Sequence, residues 1–301
     1  MHFSSSAARY LIMIDSSRNN FMEETIRESH SVIVVSNLED LALFSSLVEG
    51  QEYLVFDVEG IRLSRTGQPT VATIGILSED HVHVFIFDLI EIEINFFGEQ
   101  MRVLKQILED VAVTKIIHDC RQDSDALNEF FNIRLVGVFD TVIYYQNVCG
   151  FRQRLNNCLA NYGIETNENR NLPENFYDMN PDYWARRPLT DTHIAHASGD
   201  VAPLFKLRVK LLAECSPSAL ILMKEASEVA VNEFRSRRFL KDVPVAKEKR
   251  GKVIGFRRQA LEKIERGTET IINPHGDGFR ILGSNQESVN RAREVMISRA
   301  K

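Results

Sequence analysis

The run Tyr53-Leu54-Val55-Phe56-Asp57-Val58-Glu59-Gly60 decides how this chain is read. In an extended strand the side chains alternate with a period of two. Leu54, Phe56 and Val58 therefore share one face, and Val55, Asp57 and Glu59 the other. An otherwise apolar strand thus carries two carboxylates side by side. Dry and unpaired, they would cost several kcal/mol or hold protons at neutral pH. A bound divalent cation resolves the conflict, because hard cations take oxygen ligands. An edge strand with one wet face also resolves it, and the octet alone leaves both readings open.

Outward from the octet, residues 31–89 read as β-rich, with strands at 53–59, 70–77 and 82–88. Ser78-Glu79-Asp80 turns the last two into a hairpin, and Gly67-Gln68-Pro69 punctuates the approach to the middle one. Residues 97–109 have helical periodicity through Met101, Leu104, Ile107 and Leu108. A short apolar strand at 113–118, a helix at 121–131 with Leu127 and Phe131 on one face, and a strand at 135–139 follow. Asp140 is placed to cap the next helix. Residues 152–214 are mostly helical. They are interrupted by a loop at 171–188 holding Pro173, Pro181, Trp184 and Pro188, after which Thr190 can cap a helix with Asp191 in its first turn. Consecutive strands followed by strand–helix alternation predict a mixed α/β fold. Residues 217–238 form an amphipathic helix that either connects two domains or packs on the first.

Length and composition suit one large and one small globular domain. No apolar run approaches the roughly 18 residues that span a bilayer, so no membrane partner is expected. Cys120, Cys149, Cys158 and Cys215 are widely spaced, form no C-x-x-C pair and suggest a reducing compartment, cytoplasm or nucleus. Residues 1–30 read as a loosely ordered leader or an added helix; Asp15, Glu23 and Glu24 argue against an import signal. The net charge of −6 is unevenly spread: residues 235–301 hold 17 basic and 8 acidic residues, a net +9, which leaves −15 for the remainder. The basic end is either a contact for a polyanion or a solvated face.

Further acids fall where one site could collect them. Asp123 lies near the start of the helix after strand 113–118. His196 and Asp200, four apart, share one helical face. Taken in order, Asp57-x-Glu59, His118-x4-Asp123 and x3-Asp200 resemble the three motifs of the DEDD superfamily, the RNase H-like 3′–5′ exonucleases that include RNase D. Glu59-Gly60-Ile61-Arg62-Leu63-Ser64-Arg65 resembles the first motif of the branch containing Egalitarian and exonuclease 3′–5′ domain-containing protein 1. Tyr183-Trp184-Ala185-Arg186-Arg187-Pro188-Leu189-Thr190 resembles the segment before the third motif, and Phe139-Asp140-Thr141 a family strand-to-helix step. The similarity covers about residues 31–213, within an expected exonuclease domain at 31–215.

The resemblance implies two ions, Mg²⁺ or Mn²⁺, roughly 3.5–4 Å apart, that activate water and stabilise the departing 3′ oxygen. Asp57 would bridge both. Glu59 and Asp200 would hold the ion on the nucleophile side, and Asp123 would support the other. Asp119 and Asp125 compete with Asp123 for that place. The RNase D type has tyrosine where this chain has His196, and the other branch needs histidine at position 195, where Ala195 stands. Histidine titrates near neutrality and can serve as a general base. The implied activity is 3′–5′ trimming of single-stranded nucleic acid, RNA favoured over DNA; the alternative is a catalytically weak or inactive RNA-binding adapter with the same fold.

After a helical linker at 216–240, residues 241–301 carry a second resemblance, to the KH domain, a small α+β module that clamps single-stranded backbone with a G-x-x-G loop. Val243-Pro244, Gly251-Lys252-Val253-Ile254-Gly255 and Leu261-Glu262-Lys263-Ile264 follow its first half. A strand at 268–272, Arg280-Ile281-Leu282-Gly283 and a helix through Val289, Ala292 and Ile297 complete it. The loop reads Gly255-Phe256-Arg257-Arg258, with Arg258 in place of the second glycine. Lys252, Arg257 and Arg258 would add charge, and Phe256 would stack on a base. A KH fold kept for protein contact is the other reading. Partners in an RNA-processing complex are also expected.

Overall fold

The computed structural model describes residues 30–90, 94–173 and 176–301, so the expected leader lies outside the described residues but for His30. The chain divides into two compact units between Val231 and Asn232.

The first unit is built on a six-stranded mixed sheet: β1 (His30–Val35), β2 (Tyr53–Ile61), β3 (Gln68–Ser78), β4 (His81–Asp88), β5 (Thr114–Ile117) and β6 (Val138–Asp140), in the order β1-β4-β3-β2-β5-β6. The β2–β3 and β3–β4 pairs are antiparallel, and the others parallel. The expected mixed α/β architecture is present. One stretch differs from expectation. Residues 31–89 are not all extended, because α1 (Leu38–Val48) follows β1. Asn37 caps it, its side chain accepting from the Glu39 and Asp40 amides at 2.9 Å each, and Leu41 and Phe44 bury its inner face.

The alternation of β2 separates two cores. Leu54, Phe56 and Val58 join Phe44 of α1, Leu104 and Leu108 of α2 (Ile94–Leu108) and Leu127 of α3 (Arg121–Phe131). Val55 lies on the opposite face with α4 (Thr141–Cys149), α5 (Leu155–Asn161), α6 (Asp191–Val201) and α7 (Leu204–Glu214), which contribute Tyr145, Leu159, Val201 and Leu207. The expected loop at 171–188 contains a helical turn, Phe176–Met179, and a 3₁₀ turn, Tyr183–Ala185.

The helix expected as a linker is α8 (Pro217–Glu233), and it packs on the first unit. Ser227, Ala230 and Val231 are buried there, Ser124 Oγ donates to the Val231 carbonyl at 2.8 Å, and the Asp140 amide donates to Ser227 Oγ at 3.3 Å. Small residues let the helix approach closely, and these bonds hold it.

The second unit runs β7 (Phe239–Pro244), α9 (Lys247–Ile254), α10 (Gln259–Thr268), β8 (Thr270–His275), β9 (Gly278–Gly283) and α11 (Gln286–Arg299). Its antiparallel sheet has the order β7-β9-β8. Leu261 and Ile264 of α10 and Val289, Ala292 and Met296 of α11 pack on Val243, Ile272, Phe279 and Ile281 of that sheet. Among the described residues, no helix is long and apolar enough to cross a membrane.

Candidate active site

The site begins where β2 parts from β5. The β2–β5 ladder runs from Tyr53 to Val55 and stops, whereas β2–β3 pairing continues to Ile61. Asp57 and Glu59 therefore lie in a notch at the carboxyl end of the parallel strands, where open α/β sheets bind ligands. The register slips between Glu59 and Gly60, and a Cβ on Gly60 would lie 2.2 Å from the Gln68 carbonyl oxygen. Only glycine permits this close crossing beside Glu59.

Asp123 enters from the first turn of α3. The turn before it is held by Asp140, whose carboxylate accepts from the Asp119 and Cys120 amides at 3.0 and 3.1 Å while capping α4 through Val142 at 3.0 Å. The Phe139-Asp140-Thr141 step thus fixes the start of α3. The three neighbouring acids then separate by partner. Asp119 is bound by Arg121 at 2.6 Å and Arg152 at 3.0 Å, and these charges outweigh its burial and lower its pKa. Asp125 is bound by Arg65 at 2.7 Å. Asp123 is buried and makes no ion pair among the described residues, and burial, Asp57 and Asp119 push its pKa well up.

Asp200 and His196 come from α6, which Thr190 caps as expected; His193 at its third position completes the box. His196 Nε2 stands 3.5 Å from Asp200 Oδ2 and 3.9 Å from Glu59 Oε1. The ring is buried edge-on against Trp184, with centroids 5.2 Å apart. Trp184 is positioned in turn by Arg187, which donates to Asp88 Oδ1 at 2.7 Å and to the Thr70 carbonyl at 2.9 Å, tying the preceding loop to the sheet.

Two residues of the site were not foreseen. Asn167 Nδ2 donates to Asp200 Oδ1 at 2.7 Å and to the His196 carbonyl at 2.8 Å. It approaches that closely because Gly199 faces it: a Cβ there would lie 2.7 Å from Asn167 Cγ. Arg170 Nε donates to Asp200 Oδ2 at 2.7 Å. A glycine inside a helix was the available signal for Asn167. Arg170 lies thirty residues before Asp200, and nothing in the sequence ties the two together.

The electrostatics follow from this packing. Burial, then Asp200, raise the Asp57 pKa to about 7. Burial, Asp57 and Asp200 push Glu59 well above the usual carboxylate range. Burial works against ionised Asp200, but His196, Arg170 and Asn167 outweigh it and lower its pKa. Burial likewise opposes the charge of Arg170, yet Asp200, Asp57 and Glu59 more than offset it and push its pKa up. One ligand atom each from Glu59, His196 and Asp200 lie within 4.8 Å of one another. Asp57, Glu59 and Asp123, each raised by burial and by neighbouring acids, form with Asp200 a hard-oxygen donor set suited to divalent cations.

A cleft of about 610 Å³ reaches the cluster at Glu59 and His196 and is also lined by Arg62, Arg154, Arg170 and Tyr177. In the second unit, Lys252 and Phe256 are exposed, and Gly255 has a positive φ of 72°. Arg258 adopts the left-handed backbone of the missing glycine, φ 66°, and its guanidinium is bound to Glu265 at 2.7 Å and the Ile272 carbonyl at 3.0 Å. Its charge is thus held within the unit. The Arg257 side chain lies outside the described residues.

Residues 32–216 match the family model described as 3′–5′ exonuclease. The chain is similar to piRNA biogenesis protein EXD1 of Mus musculus, 28% identical over 184 residues, which are 56% of this chain and 30% of that protein. It is also similar to Ribonuclease D of Granulibacter bethesdensis, 28% identical over 174 residues, 58% of this chain and 40% of that protein. It therefore spans less than half the length of either relative. The solved structure of Trypanosoma brucei RNase D shares the fold at a TM-score of 0.57 and 20% identity, covering 68% of this chain and 72% of that one. The family match takes in the mixed sheet from Val32 onward and the positions of Asp57, Glu59, Asp123 and Asp200, and the chain belongs to the 3′–5′ exonuclease family.

Proposed function

We propose that this exonuclease domain trims the 3′ end of single-stranded RNA with the help of two divalent ions, Mg²⁺ or Mn²⁺. The observation that supports the reading is that Asp57 and Glu59 of β2, Asp123 of α3 and Asp200 of α6 lie close enough to act on one another's charge. Asp57 would bridge the ions, Glu59 and Asp200 would hold one, and Asp123 would support the other. Bound there, the ions supply activation of water and stabilisation of the leaving 3′ oxygen. The protein's own groups do the rest. Arg62 and Arg154, on the cleft wall, meet backbone phosphates. Tyr177, 46% exposed, offers aromatic surface to the terminal base. His196, placed by Trp184 and by the Asn167 bond to its carbonyl, accepts a proton at Nε2 beside Glu59 and Asp200.

RNA is favoured because two relatives are named for RNA, a ribonuclease and a piRNA biogenesis protein, and a third is named as a component of the exosome complex. Those names also support partners in RNA processing. The second unit is read as a KH module. Its βααββα order, central β9 and the Gly255–Arg258 loop between two helices support this. Lys252, Gly255, Phe256 and Arg257 form its nucleic-acid contact, and Arg258 shapes the loop.

A second reading, an RNA-binding adapter with weak catalysis, is favoured by one observation: both Asp200 oxygens already accept hydrogen bonds from the protein. An end-labelled oligonucleotide assay separates the two. Wild type is expected to shorten RNA from its 3′ end with Mg²⁺ or Mn²⁺, but not in chelator, and Asp57→Asn is expected to leave it intact. RNA left intact by wild type in both metals overturns the enzyme reading.

A further inference from the structure

Arg170 enters the acid cluster as a cation. It reaches Asp200 Oδ2 at 2.7 Å from the 3₁₀ turn Glu168–Arg170, while Asn167, one residue before that turn, takes the other oxygen. A divalent ion coordinated by Asp200 Oδ2 would share that oxygen with the guanidinium, placing two positive charges on one atom in a poorly hydrated site. The Arg170 side chain is 34% exposed and lines the cleft, so it can withdraw toward solvent without repacking the core.

From this geometry we infer that Arg170 is a built-in competitor of the divalent ion at Asp200: guanidinium and ion exclude one another, and metal loading of this site is an exchange. The inference rests on the metal-dependent reading above. It goes beyond it by making the affinity for the ion a property set by a residue that does not ligate. The opposite role is equally concrete: Arg170 could orient Asp200 for the ion, in which case its loss would weaken binding.

Mn²⁺ titration by calorimetry of the full chain, prepared in chelator and desalted, distinguishes the two roles. Wild type, Arg170→Gln and Asp57→Asn are compared, with far-UV circular dichroism as a check on folding. Arg170→Gln is expected to bind Mn²⁺ about tenfold more tightly or better, a difference of roughly 1.4 kcal/mol. Equal or weaker binding by Arg170→Gln, with Asp57→Asn weaker still, overturns the inference and leaves the metal reading standing. Wild type and Arg170→Gln both indistinguishable from Asp57→Asn would remove the metal reading and the inference with it. If Arg170→Gln is unfolded in chelator, Mn²⁺ is expected to restore its circular dichroism, because the ion replaces the missing positive charge. A variant that stays unfolded in Mn²⁺ also overturns the inference.

Discussion

Arg65 closes on Asp125 through two side-chain bonds, Nε to Oδ2 at 3.0 Å and Nη2 to Oδ1 at 2.7 Å, and its amide adds a third at 3.1 Å. Two residues earlier, Asp123 makes no ion pair among the described residues. One helical turn thus holds one acid bound by an arginine and one that is not. Asp125→Ala is expected to destabilise the protein by about 3 kcal/mol, because it removes the carboxylate that accepts three hydrogen bonds from the largely buried Arg65. Asp123→Asn is expected to leave stability unchanged or higher and to reduce 3′ trimming at least about a hundredfold. Urea unfolding and the end-labelled assay check the two effects. Equal losses of activity with unequal stabilities would argue against Asp123 as the site acid.

A pH dependence follows from Asp57. Its folded pKa is about 7, above the ordinary aspartate value of 3.8, so the folded state keeps a proton that the unfolded state has released. Stability from this group is full below the unfolded pKa and is lost as pH rises through about 7. Burial and neighbouring acids push Glu59 and Asp123 in the same direction. The lowered pKa of Asp200 acts only at lower pH. The thermal midpoint in chelator is therefore expected to fall between roughly pH 6 and pH 8. Asp57→Asn is expected to flatten that slope, as scanning fluorimetry at several pH values would show.

His196 carries a separate expectation. Its ring is clamped by Trp184, and its Nε2 faces Asp200 and Glu59. His196→Ala is expected to lower kcat by about a hundredfold with KM within about threefold, the pattern of an interaction made in the transition state. An unchanged kcat would remove the residue from proton transfer.

For the second unit, Phe256 is 76% exposed at the head of α10, and Lys252 is exposed one turn before it. Lys252→Ala combined with Phe256→Ala is expected to weaken binding of a single-stranded RNA about tenfold and to reduce the salt dependence by about one charge. Neither side chain is in the core, so the thermal midpoint should not move. Fluorescence anisotropy at several salt concentrations tests this, and unchanged affinity would favour a protein-contact role.

Much of the site was legible because its signals are local. A two-residue period puts Asp57 beside Glu59, and a four-residue step puts His196 beside Asp200. Cap chemistry marks Asp140 and Thr190 as helix starts. The helix capped by Thr190 begins where its cap chemistry puts it, at Asp191, whereas α1 was read as strand despite its Asn37 cap, because the surrounding stretch is apolar. In the second unit the apolar spacing of Leu261 and Ile264, and of Val289, Ala292 and Met296, marked two helices packing on a small sheet, while the order of elements was expected from the KH resemblance.

The amino-acid sequence by itself determined the order of elements, the apolar faces and the acids available, because these depend on spacing along the chain. Tertiary structure alone decided which acids are free. Asp119, Asp123 and Asp125 are alike in the sequence and differ only because Arg121, Arg152 and Arg65 reach two of them. It also brought Arg170 and Asn167 onto Asp200 and packed α8 against the first unit. Charge neutralisation acts over a few ångströms of space, and side chains far apart in sequence become neighbours only when the sheet has closed.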